Sequence, residues 1–521
     1  MPHALPEHLT QHWQVTKPGA TGRRGMVASQ SRDAALAGVA VLDAGGNAVD
    51  AAVATALALA AVEPWNSGLG GIGFAMVHRA GQPRAEVVDF GPRAPAHLHP
   101  HLFKLTGRIA QDLFAWPEVE GDANVHGPLS WAIPSALAGY AHMHGRFGRM
   151  PLSELMGPAI ALAKRGLPQD WFTTLKIANS ASILRKYPSS AAIYLPNGLP
   201  PVAPYQGRPG YFRLGKLPDT LETLAHAGLR DFYEGDIARS LAADAKSLGA
   251  VLDADDLRQC EARITDPLEI TFAGRTLQLP GGLTAAPTMA RALELIPHWP
   301  TTPDAAWFAA LATALRTAYQ ERLEGLGDAE PQAAESCTTH LTTCDADGTM
   351  VAMTTTLLSS MGSRLVAPGS GVLMNNGVMW FDPRPGQPNS VAPGKRPLTN
   401  MLPVILRDDD SPVIAGGASG GRRILAAVLQ MVAFTAAFGM DPVAAAHHPR
   451  IDVSDPDTVH ADQRLAPDVM AALCAQGPVE EVEHGTVPVN FACPNLIQIK
   501  DGIRTGITDV MSPWSAAVAQ A

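Results

Sequence analysis

Residues 337–363 decide the fold, and they read CTTHLTTCDADGTMVAMTTTLLSSMGS. Residues 338–344 favour a β-strand, because threonine and other β-branched side chains suit a pleated surface. Residues 345–348, DADG, form a turn signal, and residues 349–357 predict a second, threonine-rich strand. The stretch therefore predicts a β-hairpin, at the point where the chain changes from a mixed helical pattern to a strand-rich one.

Thr338 stands at the start of this hairpin, after a polar segment, residues 327–334, that predicts a loose linker. One interpretation of this threonine is structural, as a β-branched residue that suits a strand. The other is autoproteolysis, in which its hydroxyl attacks the carbonyl of Cys337, the chain shifts to an ester, and water cleaves it. The freed α-amine then lies beside the same hydroxyl and acts as its base. The residues alone leave both interpretations open.

The chain before this hairpin predicts helices separated by glycine-rich loops. Residues 48–62 are apolar on nearly all sides and predict a buried helix, which Glu63 and Pro64 end. A glycine-rich loop at 67–73 leads into a strand-like segment at 74–77. Further segments are expected as follows: helices at 31–42, 136–144, 152–165 and 237–248, and a surface loop rich in proline and glycine at 196–218.

The chain after the hairpin predicts a second hairpin over residues 404–415, around an aspartate-rich turn. A glycine-rich bend at 416–421 then leads into an apolar helix at 424–438. This mixture of helices and strands predicts a layered globule.

Composition limits the classes of function. The chain has 521 residues, 46% hydrophobic, with a net charge of -10 and no basic run, so nucleic acid and membrane are not expected partners. Its five cysteines include no CxxC pair, which predicts neither a disulfide framework nor a thiolate zinc site. We expect no metal and no cofactor. The polar N-terminus lacks the apolar segment of a signal peptide, so a cytoplasmic location is expected.

Four blocks of the sequence resemble the γ-glutamyltranspeptidase family, in the family's order and at similar separations. They are residues 45–74 (GGNAVDAAVATALALAAVEPWNSGLGGIGF), 337–363, 393–405 (PGKRPLTNMLPVI) and 416–432 (GGASGGRRILAAVLQMV). The resemblance implies an α+β fold, the N-terminal nucleophile (Ntn) hydrolase αββα four-layer sandwich. It also implies that residues 1–337 form the large subunit and residues 338–521 the small subunit of a processed precursor, which together make one body.

The resemblance also implies the chemistry. Thr338 corresponds to the nucleophile that cleaves the bond after Cys337 and then forms an acyl-enzyme with a small-molecule amide. Thr356 corresponds to the threonine that hydrogen-bonds this nucleophile. Gly420 and Gly421 correspond to the oxyanion hole, which agrees with a helix start, where the first N–H groups have no internal partner. The two fragments are expected to associate as a heterodimer.

The sequence departs from the family where a γ-glutamyl group is recognised. Three positions that would supply acceptors to its α-amine carry other residues: Leu358, Gly377 and Trp380. Leu358 and Trp380 offer apolar surface instead, and a buried ammonium without acceptors is costly. The polar side of the substrate site is expected to use Arg93, shifted by two places from the family arginine, and Thr399 and Asn400 in place of a serine pair.

Residues 374–400 resemble a divergent branch of the family that includes cephalosporin (glutaryl) acylase-like members. The principal interpretation is therefore a self-processing N-terminal-threonine amidohydrolase or acyltransferase with altered acyl specificity. Two alternatives stay open. One is a true γ-glutamyltransferase or glutathione hydrolase, and the other is a ligand-binding relative that keeps the fold without processing itself.

Overall fold

The structure is a computed structural model that describes residues 15–110, 116–326, 336–487 and 489–521. For residues 323–326, 336 and 337 it describes the backbone alone. The predicted linker at 327–334 lies outside the described residues, as does the thiol of Cys337.

The described residues form the following strands, in chain order: β1 (Ala20–Gly22), β2 (Met26–Ser29), β3 (Ile72–His78), β4 (Glu86–Phe90), β5 (Leu105–Ile109), β6 (Pro117–Val119), β7 (Leu167–Pro168), β8 (Tyr211–Phe212), β9 (Arg263–Thr265), β10 (Pro267–Phe272), β11 (Arg275–Pro280), β12 (Ser336–Cys344), β13 (Met350–Ser359), β14 (Val366–Ala367), β15 (Val372–Leu373), β16 (Val404–Asp408), β17 (Ser411–Ser419), β18 (Ile451–Asp452), β19 (Val459–Asp462), β20 (Val479–Val482), β21 (Cys493–Lys500), β22 (Ile503–Thr508) and β23 (Ala516–Ala519).

The α-helices of the same residues are α1 (Arg32–Asp43), α2 (Ala48–Val62), α3 (Ala136–Phe147), α4 (Leu152–Leu155), α5 (Gly157–Arg165), α6 (Trp171–Leu184), α7 (Pro188–Tyr194), α8 (Leu217–Ala227), α9 (Asp231–Glu234), α10 (Asp236–Leu248), α11 (Ala254–Arg258), α12 (Ala286–Leu295), α13 (Ala305–Leu326), α14 (Ile424–Val432), α15 (Pro442–His447) and α16 (Pro467–Cys474). Among these described helices, none combines the length and the apolar character needed to cross a membrane.

Two seven-stranded sheets, counted over the described residues, stack face to face. The first has the strand order β23-β2-β12-β13-β3-β4-β9, and the second has the order β1-β22-β21-β17-β16-β11-β10. Helices α1 and α2 cover the outer face of the first sheet, and α14 covers that of the second. The predicted αββα four-layer sandwich is therefore confirmed.

Helix α2 shows why the first outer layer forms. All fifteen of its residues are buried, because its apolar side chains contact both the first sheet and the surrounding helices. Asn47 caps its start by accepting from the Val49 and Asp50 N–H groups at 2.9 and 3.0 Å, and the Asp50 carboxylate accepts from the Asn47 N–H in return. The helix ends at Val62, as predicted, with Glu63 as its C-cap residue.

The predicted hairpin is confirmed and lies at the centre of the first sheet. Strands β12 and β13 pair antiparallel, and β12 is flanked by β2 while β13 is flanked by β3. Strands after residue 338 thus lie between strands from before it. In the second sheet, β11 pairs with β16 in the same way.

Four local predictions need correction. The bend expected at 416–421 is shorter, because residues 416–419 continue β17 and only Gly420 and Gly421 turn. The helix expected at 152–165 breaks at Met156, between α4 and α5. The helix expected at 424–438 changes to a π-helix over Ala433–Ala437. The loop expected at 196–218 is largely irregular, but it contains β8 and ends at the start of α8.

Candidate active site

Thr338 lies at an irregularity of the central hairpin. Cys337 pairs with Leu358 and Thr339 pairs with Thr355, so the register shifts at Thr338. Such a bulge re-aims the side chain and interrupts the ladder at one residue. Thr338 is 5% exposed and lines a cavity. Thr338, the predicted nucleophile, therefore lies at a distorted position of strand β12, and its side chain borders a cavity.

Thr356 lies beside Thr338, as the resemblance implied. The two hydroxyl oxygens are 3.3 Å apart, and the Leu358 N–H donates to Thr356 Oγ1 at 2.8 Å. Leu358 has a φ of 87°, a left-handed conformation that is unusual for a bulky residue. Such strain is concentrated at functional sites, where the surrounding structure maintains it. Here the strained residue pairs with Cys337, on the amino side of the predicted cleavage point.

A buried polar network supports the hairpin behind Thr338. His340 Nδ1 lies 2.9 Å from the Thr354 hydroxyl, and Nε2 lies 3.2 Å from the Thr342 hydroxyl, which donates to Asn495 on the second sheet. Burial lowers the pKa of His340 to about 3, so the ring is neutral at ordinary pH. These contacts give His340 a structural role that ties the two sheets together.

The turn at Gly420 and Gly421 ends β17 and begins the helix layer. Gly420 has a φ of 138°, and an added Cβ would lie 2.7 Å from the Cα and Cβ of Ala492. This position therefore requires glycine. Within the described residues, neither amide N–H donates a hydrogen bond to the protein. Because Gly420 lines the same cavity as Thr338, the turn is compatible with the predicted oxyanion hole.

The cavity beside Thr338 has a volume of about 510 Å³. Its wall also includes Gln30, whose side-chain amide donates to the Ser419 hydroxyl. Lys176 on α6 and Glu63, which directly follows α2, also line the cavity. No sequence pattern singled out these three residues as functional, and Glu63 was expected only to end a helix. The one local signal for Glu63 is a carboxyl that directly follows a helix apolar on nearly all sides.

Glu63 is a buried acid, 5% exposed. Its Oε1 accepts from Asn66 Nδ2 at 2.7 Å, whereas Oε2 has no hydrogen-bond partner in the described part of the chain. Burial raises the pKa of Glu63 to about 7, against the opposing effects of Thr339, Asn66 and Lys176. The Thr339 hydroxyl faces the carboxyl and favours its charged form, although no hydrogen bond of ordinary geometry joins the two.

The two predicted apolar specificity residues, Leu358 and Trp380, pack together beside the Thr338 hairpin. Leu358 and Trp380 pack in one buried cluster with Phe74, Trp116 and Met401. Neither belongs to the cavity wall described above. The cluster therefore provides an apolar surface at the C-terminal end of β13, where Leu358 pairs with Cys337 and donates to Thr356 Oγ1.

The predicted polar specificity residues have protein partners. The Thr399 hydroxyl donates to the Leu283 carbonyl at 3.0 Å, and Asn400 Oδ1 lies 3.5 Å from a guanidinium nitrogen of buried Arg322. Arg93 lies near the carboxyl of Asp256. Burial raises the pKa of Asp256, and the positive charge of Arg93 opposes that rise. Thr399, Asn400 and Arg93 are likewise not part of the Thr338 cavity wall. Thr399 and Asn400 adjoin the apolar cluster through Met401, which follows them.

The structure thus brings together Thr338, Thr356, Leu358 and Gly420, and Gly421 follows in the same turn. Within the described residues, no group of three or more His, Cys, Asp or Glu side chains is arranged to hold a metal ion. The arrangement offers a hydroxyl nucleophile, a hydroxyl partner and free backbone donors. These are the groups that acyl transfer requires.

Similar proteins agree with this chemistry. The family model described as Gamma-glutamyltranspeptidase matches residues 34–337 and 329–511. A "Glutathione hydrolase proenzyme" from Bacillus subtilis is 27% identical over 97% of this chain and 93% of its own length. An "Acylase ACY 1 proenzyme" from a Pseudomonas strain is 29% identical over 88% of both chains. The crystal structure of a cephalosporin acylase from Bacillus halodurans shares the fold, with a TM-score of 0.84, 24% identity and 98% coverage of both chains.

Proposed function

Because the chain belongs to the gamma-glutamyltranspeptidase family, we propose that it cleaves itself before Thr338 and then hydrolyses or transfers an acyl group through that residue. Membership makes it an enzyme that acts on amide bonds, as its glutathione hydrolase and acylase relatives do. One observation carries the assignment of the site. Thr338 lies in a strand irregularity, 3.3 Å from the Thr356 hydroxyl and in one cavity with the Gly420 turn.

The proposed reaction uses Thr338 twice. In the precursor, its hydroxyl attacks the Cys337 carbonyl, and water hydrolyses the resulting ester to free the α-amine of Thr338. In the mature enzyme, the hydroxyl gives its proton to that amine and attacks the substrate carbonyl. The Gly420 and Gly421 N–H groups stabilise the oxyanion. The leaving amine takes the proton, and water or an acceptor amine releases the acyl group.

Both fragments are proposed to stay together as a heterodimer, as the proenzyme relatives suggest. The central strands support this proposal, because β12 and β13 hydrogen-bond to β2 and β3 on either side. Separation of the fragments would expose two edges of the first sheet and the apolar layer between the sheets. We therefore expect them to co-elute without denaturant.

The decisive experiment is a denaturing gel of purified protein with N-terminal sequencing. We expect fragments of about 35 kDa and about 19 kDa, in proportion to 337 and 184 of the 521 residues, with the smaller one starting at Thr338. Thr338→Ala should remain one chain, whereas Thr338→Ser keeps a hydroxyl and should still be cut. A single band of 54.8 kDa from the unmodified protein would instead favour the non-processing, ligand-binding relative.

A cytoplasmic location is a separate proposal. It is supported by four cysteines, Cys260, Cys344, Cys474 and Cys493, that form no disulfide among the described side chains. Fractionation of the native host, with detection of the small fragment, tests it. Recovery of that fragment outside the cytoplasm would refute it.

A further inference from the structure

Self-cleavage would create a new polar group in a buried place. The amide nitrogen of Thr338 becomes an α-amine, and in the mature enzyme this amine cycles between the neutral and the ammonium form. Thr338 is 5% exposed, and buried polar groups need hydrogen-bond partners. The mature site therefore requires an acceptor close to residue 338 that the described residues have not already engaged.

Glu63 supplies such an acceptor. Its Oε2 is buried and has no partner within the described residues, while Oε1 is held by Asn66. Its carboxyl faces the side chain of Thr339, the residue next to Thr338, and both Glu63 and Thr338 line one cavity. Consecutive Cα atoms are about 3.8 Å apart, and Glu63 and Thr338 share a cavity wall, so the carboxyl can approach the amine that cleavage would free.

Three other possible acceptors in the cavity wall are less suitable. Asp509 is held by Arg450 at 2.9 Å and lies 3.3 Å from His484, and Glu480 is paired with His460 at 3.1 Å. Gln30 Oε1 is also without a partner in the described chain, but Gln30 is uncharged and its amide group donates to Ser419, on the side of the Gly420 turn.

We propose that Glu63 is a positioning residue that accepts a hydrogen bond from the α-amino group of mature Thr338 and orients its lone pair toward the Thr338 hydroxyl. This inference rests on the proposed function, because the amine exists only after cleavage. In each turnover the hydroxyl proton moves to the amine, Glu63 stabilises the ammonium, and the ammonium gives the same proton to the leaving amine. Glu63 itself gains and loses no proton over the cycle.

The pH profile distinguishes this role from a purely structural one. An ordinary α-amine has a pKa of about 7.7–8.0, and an adjacent carboxylate raises it. The groups that face Glu63 are Lys176 from α6, Thr339 from β12 and Asn66 from its own loop. Burial and then the charge of Asp509 raise the pKa of the Cys493 thiol on β21, and the charge of Glu63 adds to that rise. Lys176 is the cation of this set, and it does not change in a Glu63 variant. Loss of the carboxylate should therefore lower the pKa of the amine.

The experiment compares kcat/KM from pH 5 to 10 for the mature wild-type enzyme and Glu63→Gln, with an acyl anilide as substrate. We expect Glu63→Gln to be cleaved, to be about tenfold slower at its plateau, and to show its acid limb about one pH unit lower. Glu63→Asp keeps a carboxylate, so the midpoint of its acid limb should lie between those of the wild-type enzyme and Glu63→Gln. The control Glu480→Gln removes another carboxyl from the same cavity and should leave the midpoint unchanged.

Two results would overturn the inference. One is a Glu63→Gln enzyme that is slower by the same factor at every pH, since that is the behaviour of a structural residue. The other is a folded Glu63→Gln chain that stays uncut, because the amine plays no part before cleavage. Failure of the wild-type protein to be cut before Thr338 would contradict the proposed function itself. Cleavage of the wild-type protein is therefore measured first, before any Glu63 variant is compared.

Discussion

Replacement of Thr356 by valine tests the central contact of the site. Valine keeps the shape of threonine and removes its hydroxyl. In the structure this hydroxyl lies 3.3 Å from the Thr338 hydroxyl and accepts the Leu358 N–H at 2.8 Å. All three residues are at most 5% exposed, so bulk water does not replace the lost group.

The magnitude follows from these two contacts. A hydrogen bond between neutral groups contributes about 0.5–1.5 kcal/mol net, which corresponds to about a 2- to 13-fold change in rate. The 3.3 Å separation is long for two hydroxyls, but such contacts tighten in the reactive complex. The unpartnered Leu358 N–H adds about 1–3 kcal/mol of destabilisation at a residue whose φ of 87° is already strained. We therefore expect Thr356→Val to process itself and to turn over about tenfold more slowly.

The assay follows the fraction of cut chain on a denaturing gel over time after synthesis, and then kcat on an acyl anilide. Thr356→Ser keeps the hydroxyl and loses only a methyl group, so it should stay within about threefold of the wild type. A Thr356→Val protein that processes itself and turns over at the wild-type rate would refute the reasoning. An equal loss of kcat in Thr356→Ser and Thr356→Val would also refute the reasoning, because it would show that packing, and not the hydroxyl, is responsible for the effect.

Two further predictions concern the oxyanion donors and the acyl group. Gly420→Ala should reduce kcat by about 10²–10³-fold, since an added Cβ would lie 2.7 Å from Ala492 and displace the turn that carries the oxyanion donors. The matched control is Gly439→Ala, because Gly439 also has a positive φ but has open space around it. The Gly439→Ala enzyme should keep the wild-type activity. Acyl groups without an α-amine, such as glutaryl, should be hydrolysed at least as well as γ-glutamyl groups, because Leu358, Gly377 and Trp380 offer no side-chain acceptor for an ammonium. The measurement is kcat/KM on paired glutaryl and γ-glutamyl anilides, and a strong preference for the γ-glutamyl compound would restore the ordinary transpeptidase interpretation.

The sequence by itself determined the elements of the central body. The apolar run at 48–62 and the stop at Glu63 predicted α2 with its observed bounds, because a helix buried on all sides shows a continuous apolar pattern. The threonine-rich stretches on either side of DADG predicted β12 and β13 to within two residues at each end. Four ordered blocks then implied the αββα fold, Thr338 and Thr356, since these residues lie within the blocks themselves.

Only the tertiary structure decided which residues share the cavity. Glu63, Lys176 and Gln30 are distant from Thr338 in sequence and carry no local pattern of their own, so periodicity does not select them. The register shift at Thr338 and the positive φ of Leu358 are likewise outcomes of strand pairing. The packing of Leu358 against Trp380 arises in the same way. Local sequence specifies where helices and strands form, but burial and unpaired polar atoms are properties of surfaces that meet only when the four layers pack.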